Sequence, residues 1–200
     1  MDGFQKRTEA KKKLIKTAAF SLLQTSEAKS IKVSDIAKEA GVSQVSIYNY
    51  FANKDNLIRE VMKDYLNDQV KQTKAVFEGE WPLKEKIEFM VFQKKSSFQE
   101  IPPSVFQSLL LEDEELKQHT DQLYINEVLP FFTKMIQKAQ EKKEINPHVS
   151  ISSILFYLGA FKEAGEKLQY GQLSLAETEQ LTEELVQLFF YGLAVPPTSE

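Results

Sequence analysis

The sequence predicts an all-α protein, an N-terminal three-helix helix-turn-helix domain followed by a larger helical domain. Apolar residues recur three and four positions apart through most of the chain, the spacing of one buried helix face. Clusters rich in Gly, Pro and Asn at 79–82, 101–103, 146–147 and 171–174 divide these stretches as helix-ending residues do. Near the N-terminus an Ala40-Gly41-Val42-Ser43 corner separates two short runs.

The first element is a basic amphipathic segment within residues 1–30. Leu14, Ile15, Ala18, Ala19, Leu22 and Leu23 form its apolar face, and Lys6, Arg7, Lys11, Lys12, Lys13 and Lys16 crowd its start. Because it contains Glu9 and lacks a small-residue cleavage site, it reads as a structural helix and not as a presequence. In the second element Ile36, Ala37 and Ala40 share a face, and Ala37 is small enough for a close helix crossing. Gly41 can supply the left-handed residue of a helix C-terminus, and Val42 is an apolar plug in the turn. Ser43 stands where a hydroxyl caps a third helix, with Ile47 and Phe51 at i and i+4 as its buried side. That phase turns Gln44, Val45, Ser46, Tyr48, Asn49 and Tyr50 outward, a set of hydrogen-bonding tips and flat rings without a carboxylate to repel phosphate. Core packing is the competing reading for Tyr48 and Tyr50, and fits one of them better than both. Asn53 can cap a long fourth helix carrying Leu57, Ile58, Val61, Met62, Tyr65, Leu66 and Val70.

The order Ile36-Ala37, Ala40-Gly41-Val42-Ser43, Ile47-Tyr48, Tyr50-Phe51, Asn53-Lys54 and Leu57, behind a leading helix, resembles the DNA-binding domain of the tetracycline-repressor (TetR) family of one-component regulators. The likeness covers about the first 60 residues, with a weaker echo in Tyr191-Gly192-Leu193. It implies a DNA-binding domain over 1–54 and an effector-binding and dimerisation domain over 55–200. It implies further that helix 44–50 enters the major groove, Gln44 reading adenine and Val45 touching a thymine methyl. Tyr48 and Lys54 would then contact phosphate, while Ser46, Asn49 and Tyr50, beside the cap Ser43, fix register. Two positions depart from the family pattern. Lys32 replaces the usual Thr or Ser, so its ammonium can meet phosphate but cannot cap the second helix, which leaves Ser34 as the cap. Val45 replaces Gly, Pro or a longer polar residue and points to selection by methyl contact.

Charge is polarised. Residues 1–75 hold 14 Lys plus Arg against 9 Asp plus Glu, and residues 76–200 hold 11 against 20. A basic end can release counterions from DNA although the whole chain is formally −4. No apolar run approaches the roughly 18 residues that span a bilayer, so no membrane association is expected. The absence of cysteine suits a reducing compartment, and a cytoplasmic location follows as the default.

Beyond the head, helices are predicted over 53–77, 82–100, 103–111, 113–143, 148–170 and 174–193, with a kink near Val128 and Leu129 from Pro130. This part is rich in aromatic residues. Such stripes are more often core than binding site, but the family's middle helices enclose an effector cavity. The resemblance therefore makes Phe89, Phe92, Phe106, Tyr124 and Phe132 candidate linings for a small, largely hydrophobic effector. It also implies a homodimer through the last two helices, whose apolar faces carry Ile151, Ile154, Leu155, Leu158 and Phe161, then Leu181, Leu185, Leu188, Phe189 and Gly192. A palindromic operator and release by the effector complete the expectation. The alternative is a DNA-bound regulator of the same fold that recruits a protein and has no small-molecule effector.

Catalysis is not expected. The two histidines, His119 and His148, form no His-Glu-x-x-His pattern, and there is no phosphate-cradling glycine loop and no serine elbow. His119 beside Asp121 reads as a solvated pair, and Glu112-Asp113-Glu114-Glu115 as an acidic helix start without the histidines of a transition-metal site. No cofactor and no metal are expected.

Overall fold

A computed structural model describes residues 3–83, 85–86 and 101–168, together with 177, 180, 181, 184, 185, 187, 188, 191 and 192. The chain forms two compact units: residues 1–72 with 96–127, and residues 73–95 with 128–200. Among the described residues the regular structure is helical, with no strand. The helices are α1 (Gly3–Leu23), α2 (Val33–Ala40), α3 (Gln44–Phe51), α4 (Lys54–Glu78), α5 (Pro103–Glu112), α6 (Glu114–Leu123), α7 (Leu129–Glu141) and α8 (Ile151–Leu168).

The first unit is organised by one apolar core. Ile15, Ala19 and Leu23 on α1, Ile36 and Ala37 on α2, Ile47 and Phe51 on α3, and Leu57, Ile58, Val61 and Met62 on α4 are all buried in it. Ile101, Val105 and Leu116 join the same cluster from α5, its lead-in and α6. Leu14, expected on the apolar face of α1, is 55% exposed. It sits about 100° around the helix from Ile15, off the centre of the buried row 15-19-23.

The turn between α2 and α3 follows the predicted chemistry. Gly41 takes φ 64° and ψ 35°, and the Val42 and Gly41 N–H groups donate to Ala37 O at 3.0 Å and Lys38 O at 3.3 Å. This is the paired closure of a glycine-capped helix end. Ser43 caps α3, its Oγ accepting from the Ser46 N–H at 3.1 Å. The expected cap of α2 is not the one found. Asp35 Oδ2 accepts the Lys32 N–H at 3.3 Å, and the Ser34 hydroxyl donates to Asp35 Oδ1 at 3.4 Å. The third residue of the helix reaches back to its free donors, so a first residue with no acceptor is tolerated.

Between α3 and α4 the chain turns on Ala52, which has φ 64° and ψ −47°. The Asn53 N–H bonds Phe51 O at 2.8 Å across it, a three-residue turn of the strained positive-φ kind. Phe51 O also accepts from Asn56 Nδ2 at 3.1 Å, while Asn53 Oδ1 caps α4 by accepting the Asn56 N–H at 2.7 Å.

The acidic run 112–115 does more than start a helix. Asp113 ends α5 and caps α6, its Oδ1 accepting the Leu116 N–H at 2.9 Å. Both Asp113 oxygens also receive Arg59 Nε, at 2.9 and 2.8 Å. Lys63 meets Glu115 at 2.7 Å and Lys29 meets Glu112 at 2.6 Å. The Arg59 and Asp113 side chains are mostly covered, so this pair is screened less than the exposed ones around it. On the other side of α4, Lys16 bonds Glu60 at 3.0 Å and Asp64 at 2.9 Å.

In place of one helix over 113–143, α6 gives way to a π-helical turn at Tyr124–Val128 before α7. Pro130, near the start of α7, has no N–H for the preceding turn, and the wider register absorbs the misfit. The second unit has its own core of Phe77, Leu83 and Ala139, with Val76, Phe131, Met135 and Ile145 packed on it. Ser150 caps α8 as Ser43 caps α3, accepting the Ser153 N–H at 3.1 Å. On α8, Ile154 is buried and Ile151 and Leu155 are half-buried, while the side chains of Leu158 and Phe161 lie outside the described residues, as does Phe189. The expected helix 82–100 is described only at 82, 83, 85 and 86.

Two predictions follow from the first unit. A glycine at position 52 removes a left-handed Cβ penalty of about 1–2 kcal/mol and adds about 0.5–1 kcal/mol of unfolded-chain freedom. Ala52→Gly should therefore raise the urea midpoint by the equivalent of roughly 0.5–1 kcal/mol without changing the m value, and Ala52→Val should lower it. Separately, the hydrogen bond from Lys63, with the charges of Arg59 and Lys63, holds the Glu115 carboxyl below its ordinary 4.5. A folded value below the unfolded one gives stability that is complete above 4.5 and is lost as pH falls through the folded value. Urea titrations of wild type and Glu115→Gln should accordingly converge below that pH, and an unchanged gap would contradict the ion pair.

Candidate nucleic-acid interface

The buried phase of α3 sets its open face. With Ile47 and Phe51 in the core, Gln44 and Tyr48 form one exposed row and Val45 and Asn49 the next, each pair one turn apart. Val45 is 65% exposed and Tyr48 49%. Bare apolar and aromatic side chains on a short helix, flanked by two amides, can touch base edges by methyl contact and by paired hydrogen bonds. No acidic residue lies on α3.

The remaining predicted contacts are placed differently. Ser43 and Ser46 are joined hydroxyl to hydroxyl at 2.9 Å, so both are first of all elements of the helix cap. Tyr50 is half-buried against the first core, its ring edge-to-face with Phe51 at 6.5 Å. Of the two tyrosines it is the packed one and Tyr48 the open one. Lys32 is exposed at the start of α2. Lys54, expected on a phosphate, directs Nζ to main-chain oxygens: Ala28 at 2.9 Å, Ile31 at 3.0 Å and Lys29 at 3.5 Å.

The charge of this unit is also less simple than the N-terminal excess. With 96–127 included, it holds 14 Lys plus Arg against 16 Asp plus Glu. Lys16, Lys29, Arg59 and Lys63 all meet carboxylates within it. The sequence signal for this was present in the acidic run at 112–115, but its partners are about fifty and eighty residues away.

Of the candidate effector linings, Phe89 and Phe92 lie outside the described residues. Phe106 packs on the core of the first unit, and Tyr124 is exposed in the π-helical turn of the same unit. Phe132 belongs to the second unit, its ring 5.7 Å from Phe131 and 6.2 Å from Phe77. A cleft of about 800 Å³ runs along α1 and α4, bordered by Lys12, Lys16, Tyr50, Glu60, Asp64 and Tyr65 among others, and none of the five candidates borders it. His119, expected as a solvated partner of Asp121, instead buries an Nε2 that has no hydrogen-bond partner. No helix of the described residues is long and apolar enough to cross a membrane.

Comparison with known proteins agrees with the local reading. The family described as bacterial regulatory proteins, tetR family, matches residues 15–61. No curated protein matches the sequence. Among solved structures, the transcriptional regulator FadR from Bacillus subtilis in complex with stearoyl-CoA superposes with TM-score 0.62 at 18% identity, over 90% of this chain and 98% of that one. The fatty acid degradation regulator FadR from Bacillus halodurans gives 0.61 at 18% identity, over 92% and 96%. A gamma-butyrolactone receptor described as ArpA-like gives 0.51 at 17% identity, over 90% and 98%. At such identities the structures establish a shared all-α fold, and the family match resides in the helix-turn-helix. By the order and spacing of residues 15–61, the helix-turn-helix of this chain matches the family described as bacterial regulatory proteins, tetR family.

Proposed function

We propose that this transcriptional regulator is a homodimeric repressor that binds a palindromic operator and is released from it by a small, largely hydrophobic effector. The observation that carries the DNA-binding half is the exposed face of Gln44, Val45, Tyr48 and Asn49 on a helix whose opposite side is locked in the core. Gln44 pairs with an adenine edge, Val45 meets a thymine methyl, and Tyr48, Asn49 and the exposed Lys32 hold the backbone. Ser43 and Ser46 keep the N-terminus of the helix in shape.

Dimerisation is supported by α8, where Phe156 stands 81% exposed, an apolar ring that a second copy of the helix would cover. Two recognition helices about 34 Å apart then meet successive major grooves of one duplex. The effector half is supported by fold kinship with a FadR in complex with stearoyl-CoA, a ligand with a long apolar acyl chain, and with a gamma-butyrolactone receptor, a second small-molecule binder. Release requires the effector to bind the DNA-incompetent arrangement more tightly, and a nearly complete switch needs about 5.5 kcal/mol of such preference.

Gel-shift titration of a duplex taken from upstream of the protein's own gene tests the first half. Gln44→Ala should erode discrimination between cognate and scrambled duplexes by about 1–3 kcal/mol. Lys32→Ala should weaken binding to both and lower the salt slope by about 0.9. Equal losses from both substitutions on every sequence would refute this division. For the second half, stearoyl-CoA and free stearate are titrated into the protein and then into the protein–DNA complex. A ligand that binds at saturation and leaves the DNA affinity unchanged rules out that ligand as the inducer.

A further inference from the structure

We infer that Lys54 serves DNA binding as a positioning residue, its ammonium clasping the loop between α1 and α2 and making no direct phosphate contact. The functional half of this inference rests on the DNA-binding reading above; the clasp itself does not.

Three donors meet three acceptors. The Lys54 ammonium lies 2.9, 3.0 and 3.5 Å from the carbonyl oxygens of Ala28, Ile31 and Lys29. An ammonium has three N–H groups, and this geometry engages all of them. The acceptors come from a segment outside any helix, where carbonyl groups lack a helical ladder to bond into. Ile31 is itself buried in the core, so the loop is held by an apolar anchor on one side and by a cation on the other.

The location explains what the clasp accomplishes. Lys54 is the first residue of α4, and the same turn is joined to the end of α3 by the Asn56 amide on Phe51 O at 3.1 Å. One turn of helix therefore secures both the recognition helix and the loop that leads into α2. Lys32 projects from the end of that loop and its N–H bonds Asp35, so the clasp sets where an exposed cation stands. To reach a phosphate, the Lys54 ammonium would have to leave all three oxygens and free the loop it orders. In place it still adds to the positive field, but it releases no counterion by direct contact.

Lys54→Met keeps the apolar stem and removes the donors, and Lys54→Arg keeps charge and donors. Hydrogen exchange of the DNA-free protein reads the clasp. The reporters are Ser30, whose N–H bonds Glu27 O at 3.0 Å, Lys32, and the first turn of α2. Exchange across 28–36 should quicken by about tenfold or more in Lys54→Met, with the amides of Ile47–Phe51 near wild type, and return to within about threefold in Lys54→Arg. Fluorescence anisotropy with a labelled random-sequence duplex supplies the second readout. Affinity should fall in Lys54→Met, while the slope of log K against log salt stays within about 0.3 of wild type. Unchanged exchange at 28–36 overturns the inference, and so does a slope smaller by about 0.9, the mark of one lost phosphate contact. If Lys54→Met exchanges rapidly throughout, Lys54→Gln, with one remaining amide donor group, is read by the same criteria. Should the wild type bind no duplex at all, the DNA-binding reading fails and the exchange result alone decides the clasp.

Discussion

The burial of Ile47 and Phe51 is the constraint on which the interface depends. Both side chains enter a core built from α1, α2 and α4, and neither can leave it without exposing a large apolar surface. An α-helix advances about 100° per residue, so a slip of one position would carry Tyr48 inward and Ile47 out. The face proposed to read DNA is therefore not specified by its own residues. It is what remains once the core has taken the opposite side, which is why Gln44, Val45, Tyr48 and Asn49 can vary to suit an operator without altering the fold.

Orientation about the axis is not enough; the helix must also be held at its ends. At the N-terminus this is done by the Ser43 cap and the glycine closure of α2, both local. At the C-terminus the chain adopts an unfavourable backbone at Ala52, and the double use of Phe51 O by Asn53 and Asn56 compensates for it. A strained residue persists where surrounding bonds over-determine it, and here they tie α3 to α4 with a single intervening turn. Farther along, Arg59 shares its Nε–H between the two Asp113 oxygens and turns Nη1 to Asn56 Oδ1 and Glu115, so one planar guanidinium binds α4 to the α5–α6 corner.

What could be read from the sequence was what the sequence encodes locally. Gly41, Val42 and Ser43 announce a turn and a cap within three residues, and the i, i+4 pair Ile47 and Phe51 gives the buried phase. Pro130 announced a disturbance but not its form, because a missing N–H can be accommodated by a kink, a break or a wider register, and the π-helical turn is only one of these. The cap of α2 was misassigned to Ser34 since two neighbouring oxygens compete, and the one three residues into the helix has the better reach to the Lys32 N–H. The role of the acidic run and the aim of Lys54 were illegible for a different reason. Each depends on partners some twenty-three to eighty-three residues away, which no window of local periodicity contains. Aromatic spacing was equally silent: Phe106 and Phe132 have the same helical pattern, yet they pack on separate cores.

The charge distribution bears on how such a head would hold DNA. Net charge is a poor guide, because counterion release depends on the number of phosphates neutralised at the interface and not on the sum over the chain. Here the sum is negative, several cations meet internal carboxylates, and α3 itself carries no Lys or Arg. On the proposed reading, α3 itself would contribute base-edge and shape contacts, and attraction to phosphate would come from cations on neighbouring segments such as the exposed Lys32. In the proposed regulator, selectivity would rest on the side chains of α3 and on the backbone geometry that presents them.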